Sequence, residues 1–349
     1  MKTSLIIQEL AITLIFAGAF FRPDRDAAAE ENWKISDVKC VWNDGCHNAF
    51  TDLTEFKGNY FLSFRHATEH QPAGRGEIYV LSSPDLVNWK LAQTYQFSQE
   101  EDGRDMKFFK LSNRLGMMYT VTSSSGPRTF NNYVVFSDDG LTFSSPLKIE
   151  NFNYYPWRNT FHDNKLYLSA YAPAKKGLSS CLFGTTDGME FAKISEIAPN
   201  ASHAGESAII FIGKNCYAVT RDEGRPRKNA VLSIANDPYE KWVDCPLAMP
   251  VDCAAIFQFK DKIMLAARFW TKPNCSEMAV YSLDIPSKQL HKEAVLPSKG
   301  ESGHCGVIVQ GDKLYVSYYS AHVKPPASKV SKAFPTGIFL ATLEFDRKD

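Results

Sequence analysis

Residues 206–221 read ESAIIFIGKNCYAVTR: an apolar run, a Gly-Lys-Asn turn, and a second apolar run ending on arginine. The same shape recurs as FTDLTEFKGNYFLSFR (50–65), DMKFFKLSNRLGMMYT (105–120), RNTFHDNKLYLSAY (158–171), CAAIFQFKDKIMLAAR (253–268) and HCGVIVQGDKLYVSYY (304–319). Two strand-like runs joined by a short Gly/Asn/Asp/Lys turn read as a β-hairpin. With the last turn residue as anchor (Asn59, Arg114, Lys165, Asn215, Lys262 and Lys313), the intervals are 55, 51, 50, 47 and 51 residues. Such regular spacing marks a repeat architecture.

A second strand pair follows each hairpin: IYVLSSPDLVNW (78–89), YVVFSDDGLTF (133–143), CLFGTTDGMEF (181–191), AVLSIANDPYEKW (230–242), MAVYSLDIPSKQL (278–290) and GIFLATLEF (337–345). Four strands in about fifty residues suit one propeller blade. The reading is all-β: a single six-bladed β-propeller over residues 30–349, closed where its N- and C-terminal segments meet. A β-sandwich with fortuitous spacing is the plainer alternative, and the regular intervals argue against it.

Composition agrees. The 349 residues are 44% apolar, 22% charged and 13% aromatic, a globular balance rich in strand formers. Lys+Arg and Asp+Glu both number 39, so no global field draws nucleic acid or an anionic membrane. Residues 1–29 join a basic start to an apolar stretch over 5–21 and an Ala-rich end, the pattern of a cleaved signal peptide. The expected location is therefore secreted or periplasmic, with no stable membrane insertion after cleavage. Export would allow some of the eight cysteines to pair, Cys40–Cys46 and Cys245–Cys253 being nearest in sequence. No CxxC, GxGxxG, P-loop, HExxH or GxSxG occurs, and no Cys/His spacing demands zinc; no cofactor or metal is expected.

Blade geometry selects the functional candidates. The start of a blade's first strand and the end of its second share one rim. Six residues after the anchors stand Arg65, Thr120, Tyr171, Arg221, Arg268 and Tyr319; nine before stand Phe50, Asp105, Pro156, Glu206, Cys253 and His304. A strand period of two puts Asp52, Lys107 and Arg158, seven before, on the same side. Arg65, Arg221 and Arg268 at one structural position read as a clamp for a carboxylate, with Arg158 at its margin. His66, His70, His304 and His322 lie near the rim as candidate acid/base or ligand-contact groups. Trp157 and Trp270 could stack on sugars.

Arginines from blades one, four and five, with a glutamate opening blade four, resemble the sialidase superfamily. The segments CHNAFTDLTEFKGNYFLSFRHATEH (46–70), GESAIIFIGKNCYAVTRDEG (205–224) and DKLYVSYYSAH (312–322) are similar to bacterial sialidase-like proteins, and SDDGLTF (137–143) resembles a degenerate Asp-box. The resemblance covers about residues 45–345. It implies exo-glycosidase chemistry on an acidic sugar: arginines hold the substrate carboxylate, a tyrosine attacks the anomeric carbon, a glutamate activates it, and an aspartate is the acid/base. Carried over, Glu206 is the activator, and Arg221 and Arg268 are clamp members; Asp105 is assigned the acid/base role. The family's nucleophilic tyrosine opens the last blade, where this chain has His304. Tyr319 is the expected nucleophile, Tyr318 the alternative in register, and His304 a replacement or helper. Arg65, Arg158, His70, Asp52 and Tyr318 complete the expected substrate contacts. Two other readings remain open: a five-bladed glycosidase of another clan, suggested by SSPDLVNW (82–89), and a non-catalytic carbohydrate-binding propeller. A protein-interaction scaffold would show an apolar face in place of Arg, Glu and His.

Overall fold

The computed structural model describes residues 33–71, 75–123, 130–175, 177–272, 275–324 and 335–346; the expected signal peptide lies outside them. Six four-stranded antiparallel sheets make six blades. The first holds β2 (His47–Phe56), β3 (Asn59–Ala67), β4 (Glu77–Ser83) and β5 (Lys90–Tyr95), and the second β6 (Glu101–Leu111), β7 (Arg114–Ser123), β8 (Asn131–Ser137) and β9 (Leu147–Lys148). The third holds β10 (Tyr155–His162), β11 (Lys165–Ala174), β12 (Gly177–Thr185) and β13 (Ala192–Ile197); the fourth β14 (Ala204–Ile212), β15 (Asn215–Asp222), β16 (Val231–Asn236) and β17 (Trp242–Pro246). The fifth holds β18 (Val251–Phe259), β19 (Lys262–Lys272), β20 (Cys275–Asp284) and β21 (Gln289–Leu296). The sixth joins β22 (Ser302–Gln310), β23 (Lys313–Ser320) and β24 (Gly337–Phe345) to β1 (Trp33–Trp42).

That last sheet closes the ring. β1 pairs with β24 from Trp33↔Phe345 to Trp42↔Ile338, so the first described strand is the outer strand of the last blade. Ring closure leaves only short, protected edges. Each sequence anchor is the first residue of its blade's second strand. Six blades exclude the five-bladed alternative. SSPDLVNW belongs instead to a turn found in three blades. Asp85, Asp139 and Asp187 each accept two backbone N–H bonds, from residues two and three positions on, and each bonds a Ser or Thr two positions back.

The core is six interblade layers. Strand alternation lets one strand serve two of them. Leu115, Met117, Tyr119 and Val121 of β7 pack toward the first blade, while Met118 packs toward the third. In β19, Met264 and Ala266 face the sixth blade and Leu265, Ala267 and Phe269 the fourth. All eight cysteines are free thiols. Of the two pairs nearest in sequence, Cys245 and Cys253 stand on different blades: Cys253 is on the inner strand β18, whereas Cys245 is on β17, the outermost strand of the blade before it. No helix among the described residues is long and apolar enough to cross a membrane.

Candidate active site

Every inner strand carries a bulge near its start. Pairing register shifts between Ala49 and Asp52, Arg104 and Lys107, Pro156 and Arg158, Ala204 and Ser207, Asp252 and Ala255, and Gly303 and Gly306. At four of these bulges a non-glycine residue is left-handed: Phe50 (φ 62°), Asp105 (49°), Cys253 (57°) and His304 (49°). Such a conformation costs about 1–2 kcal/mol per residue, and bulges of this kind re-aim side chains near binding sites. Here they turn Phe50, Asp105, Cys253 and His304 toward the cavity at the propeller axis. They also reset strand parity, which corrects the expectation that Asp52 and Arg158 share that side. Asp52, Lys107 and Arg158 line a separate, smaller cavity of about 150 Å³. There Arg158 pairs with Asp52 at 3.1 Å and donates to the carbonyls of Ala254 and Cys305.

The main cavity measures about 660 Å³ and takes side chains from the inner strands of all six blades. Phe50, Asp105, Glu206, Cys253 and His304 line it from the inner-strand positions, and Tyr171, Arg221, Arg268 and Tyr319 from the second strands. Arg104, Tyr155 and Trp157, each beside a bulge, also line it, as do Glu69, His70, Gln71 and Glu223. Tyr318 is elsewhere. Its ring belongs to the layer between the fifth and sixth blades, and its hydroxyl donates to the Pro297 carbonyl at 2.8 Å. One residue apart on a strand, Tyr318 and Tyr319 face opposite sides.

Two clamp arginines are held by one carboxylate that the sequence reading missed. Asp252, 1% exposed, lies 3.2 Å from Arg221 Nε and 3.0 Å from Arg268 Nη2. It also accepts from Trp270 Nε1 at 2.7 Å and pairs with Arg227 at 2.6 Å. Burial raises the Asp252 carboxyl, but Arg221 and Arg268 outweigh it and hold the group ionised. Arg227 lies 3.7 Å above the Trp270 ring, so that indole face is covered and is not open to a sugar. Arg221 Nη1 also donates to Glu206 at 2.8 Å. Burial pulls Arg221 and Arg268 down; acidic neighbours, Glu206 and Asp252 for the first and Cys253, Tyr319 and Asp252 for the second, more than restore them.

The third guanidinium in the cavity is Arg104, not Arg65. Arg104 lies 4.8 Å over the Phe50 ring and 3.3 Å from Asp102. Arg65 is fully buried behind the wall, where Asp102 accepts from its Nε at 2.6 Å. Gly76 makes this pair possible, because a Cβ there would fall 1.8 Å from Asp102 Oδ1. Arg158 lies in the second cavity, which removes it from the clamp margin.

Asp105 stands among several titratable side chains. Tyr155 donates its hydroxyl to Asp105 Oδ2 in a short hydrogen bond, and His304 Nδ1 lies 3.1 Å from Asp105 Oδ1, out of line for a hydrogen bond. Burial raises Asp105, yet His304, Lys107 and Arg104 together hold it well below the usual carboxylate range. It is therefore an ionised acceptor at neutral pH, so the acid half of its expected role needs another residue. Burial pulls Lys107 down to about 8, with Arg158 adding to the effect. Glu206 receives Arg221 on one oxygen and the Cys253 N–H on the other at 3.0 Å. Tyr319 is buried against Phe50 and His304, and burial first, then Glu301, pushes its phenol well up.

His304 carries a pH signature. Burial pulls it from the usual imidazole value to about 4, against the opposing pull of Asp105. The unfolded chain then binds the extra proton first as pH falls, so stability drops between about pH 6.5 and 4. A shift of this size is worth about 3 kcal/mol. H304Q should flatten that limb of the stability–pH curve in urea titrations; an unchanged slope would contradict the buried neutral imidazole.

Three groups have metal-ligand chemistry among the described residues: Asp44–Cys46–His66, His47–His70–Glu301, and Glu206–Cys253–His304. In the last, both Glu206 oxygens are engaged, burial pushes the Cys253 thiol up, and Arg221 stands beside it. That environment suits an anion better than a cation. In the first, Asp44 and His66 already pair at 2.9 Å.

No protein family's sequence profile matches the chain, and no curated protein sequence matches it either. Solved structures are similar in fold. A phage phi92 endosialidase aligns over 90% of this chain and 70% of its own, with a TM-score of 0.67 at 10% identity. A Trypanosoma rangeli sialidase aligns over 85% of this chain and 55% of its own, with a TM-score of 0.62 at 12% identity. A Bombyx mori GH32 beta-fructofuranosidase aligns over 88% of this chain and 61% of its own, with a TM-score of 0.51 at 13% identity. The fold is that of the sialidase propellers, and the chain spans little more than half of the Trypanosoma rangeli enzyme. These neighbours are glycoside hydrolases by name.

Proposed function

We infer that the chain is an exported glycoside hydrolase that removes a terminal acidic sugar from a glycan. One observation carries this reading: three guanidinium groups, Arg104, Arg221 and Arg268, border the same axial cavity as the Tyr155–Asp105 pair and Glu206. Guanidinium forks match a carboxylate in charge and shape. Asp252 pre-pairs two of them, so the clamp stands assembled before a ligand arrives. The similar Trypanosoma rangeli sialidase was solved with sialic acid and with 2,3-difluorosialic acid as a covalent intermediate, which supports an acidic sugar as the substrate class.

In this reading Tyr155 takes the nucleophile's place that the sequence assigned to Tyr319. A phenol is neutral and does not repel the substrate carboxylate. Burial, with Asp105, pushes the Tyr155 hydroxyl well up, so it attacks only as Asp105 accepts its proton. Glu206 orients Arg221. The test of the clamp is affinity by calorimetry for an acidic sugar against its neutral amide. The carboxylate should bind tighter by about 1.5–3 kcal/mol, and R268M should erase the difference; equal affinities in the wild type would reject the clamp. Binding without turnover would favour the carbohydrate-binding propeller.

A further inference from the structure

Five side chains form one line that ends at the cavity. Asp102 accepts from Arg65 Nε at 2.6 Å, Arg65 Nη1 lies 3.3 Å from His47 Nδ1, and His47 Nε2 lies 2.9 Å from Glu301 Oε1. The same Glu301 oxygen meets His70 Nδ1 in a short contact. His47 and Arg65 are fully buried, whereas the His70 side chain is 43% exposed and lines the cavity.

The proton positions follow from one fixed donor. A guanidinium only donates, so His47 Nδ1 accepts and its own proton sits on Nε2. Burial pulls His47 below the ordinary imidazole value, Glu301 opposes, and Arg65 adds to the fall. His47 is thus a neutral donor to Glu301. Burial raises Glu301, but the two imidazole bonds outweigh it and keep the group ionised. A carboxylate only accepts, so His70 Nδ1 carries a proton at all times. Nε2 is the one nitrogen of His70 left to gain or lose one.

Two histidines and a carboxylate could instead hold a metal, since their ligand atoms lie within 4.8 Å of one another. Arg65 opposes that. A metal on His47 Nε2 would move the ring proton to Nδ1, where it would face a guanidinium N–H 3.3 Å away.

We propose that His70 is the proton donor and acceptor of the cavity, and that Glu301, His47 and Arg65 are positioning residues that fix the nitrogen it presents. The proposal rests on the glycosidase reading and supplies the acid that Asp105 lacks. Protonated His70 gives its Nε2 proton to the leaving oxygen as the glycosidic C–O bond breaks. As that bond breaks, the Tyr155 oxygen bonds the anomeric carbon and its proton passes to Asp105. The neutral His70 ring then takes a proton from the water that attacks that carbon, the Tyr155–carbon bond breaks, and Asp105 returns its proton to Tyr155, which restores the starting state. The ionisable groups around His70 are Glu69 beside it in the chain, His47 and Arg65 from the first blade, Asp102 and Arg104 from the second, and Glu301 and Tyr319 from the sixth.

The full chain labelled with 15N-histidine tests this by long-range 1H–15N spectra, with H70Q and H47Q assigning the rings. Neutral His70 should be the Nδ1–H tautomer, and His47 the Nε2–H tautomer. E301Q should shift neutral His70 toward the Nε2–H tautomer. His70 found as Nε2–H in the wild type, or unmoved by E301Q, overturns the proposal, as does stoichiometric Zn²⁺ binding lost in both H47Q and H70Q. Kinetics give a second readout. H70Q should lose ~10²–10⁴-fold in kcat on an alkyl glycoside of the acidic sugar and far less on its 4-methylumbelliferyl glycoside, whose leaving group needs little protonation. Equal losses overturn the acid role. A wild type that turns over neither glycoside fails the glycosidase reading, while the tautomer still decides the positioning chain.

Discussion

Replacing Asp252 by Asn should cost the fold about 3–5 kcal/mol, the usual penalty for removing one partner from a buried charge network. Asn keeps the shape and loses the charge, and its amide group adds a donor among donors. Arg221, Arg227 and Arg268 would lose a common anion, and Trp270 Nε1 its acceptor. Thermal unfolding should fall by on the order of 10 °C. Sulfate or an acidic sugar should restore more of that loss in D252N than it adds to the wild type, because an added anion refills the charge. A loss below about 1 kcal/mol would place Asp252 among ordinary hydrogen-bonded groups and remove the argument that it assembles the clamp.

Y155F should lower kcat by about 10²–10⁴-fold on a verified acidic glycoside and leave ligand affinity nearly unchanged. The phenyl ring still fills its place against Phe130 and Tyr171, so packing survives the change. D105N should fall as far in rate, with a stability loss as well, since Lys107 and Arg104 would lose their counter-charge. Full turnover in Y155F together with loss in Y319F would return the nucleophile to Tyr319.

The sequence period carried the architecture to the residue. All six anchors open a second strand, and nine of the twelve positions picked by offset line the main cavity. What it could not carry is the bulge. An extra residue on each inner strand breaks the period of two, and Phe, Asp, Cys and His at the four left-handed positions give no turn signal of the kind glycine gives. Arg104, Tyr155 and Asp252 all stand ten before their anchors, one residue from the offset that was followed. Arg65 shared an offset with Arg221 and Arg268, yet its burial against Asp102 comes from the neighbouring blade and Gly76, neither of which local pattern reports. Glu301 lies outside every hairpin repeat, and only the closed ring brings it to His47 and His70.

Acidic-sugar hydrolysis is decided by turnover of a panel of sialyl, uronyl and neutral glycosides by the wild-type protein, with the product anomer followed by NMR. The protein should release an acidic terminal sugar, first as the anomer that retains the substrate's configuration, and release nothing from the neutral members. Hydrolysis of neutral glycosides alone, or no hydrolysis of any acidic member, would contradict it.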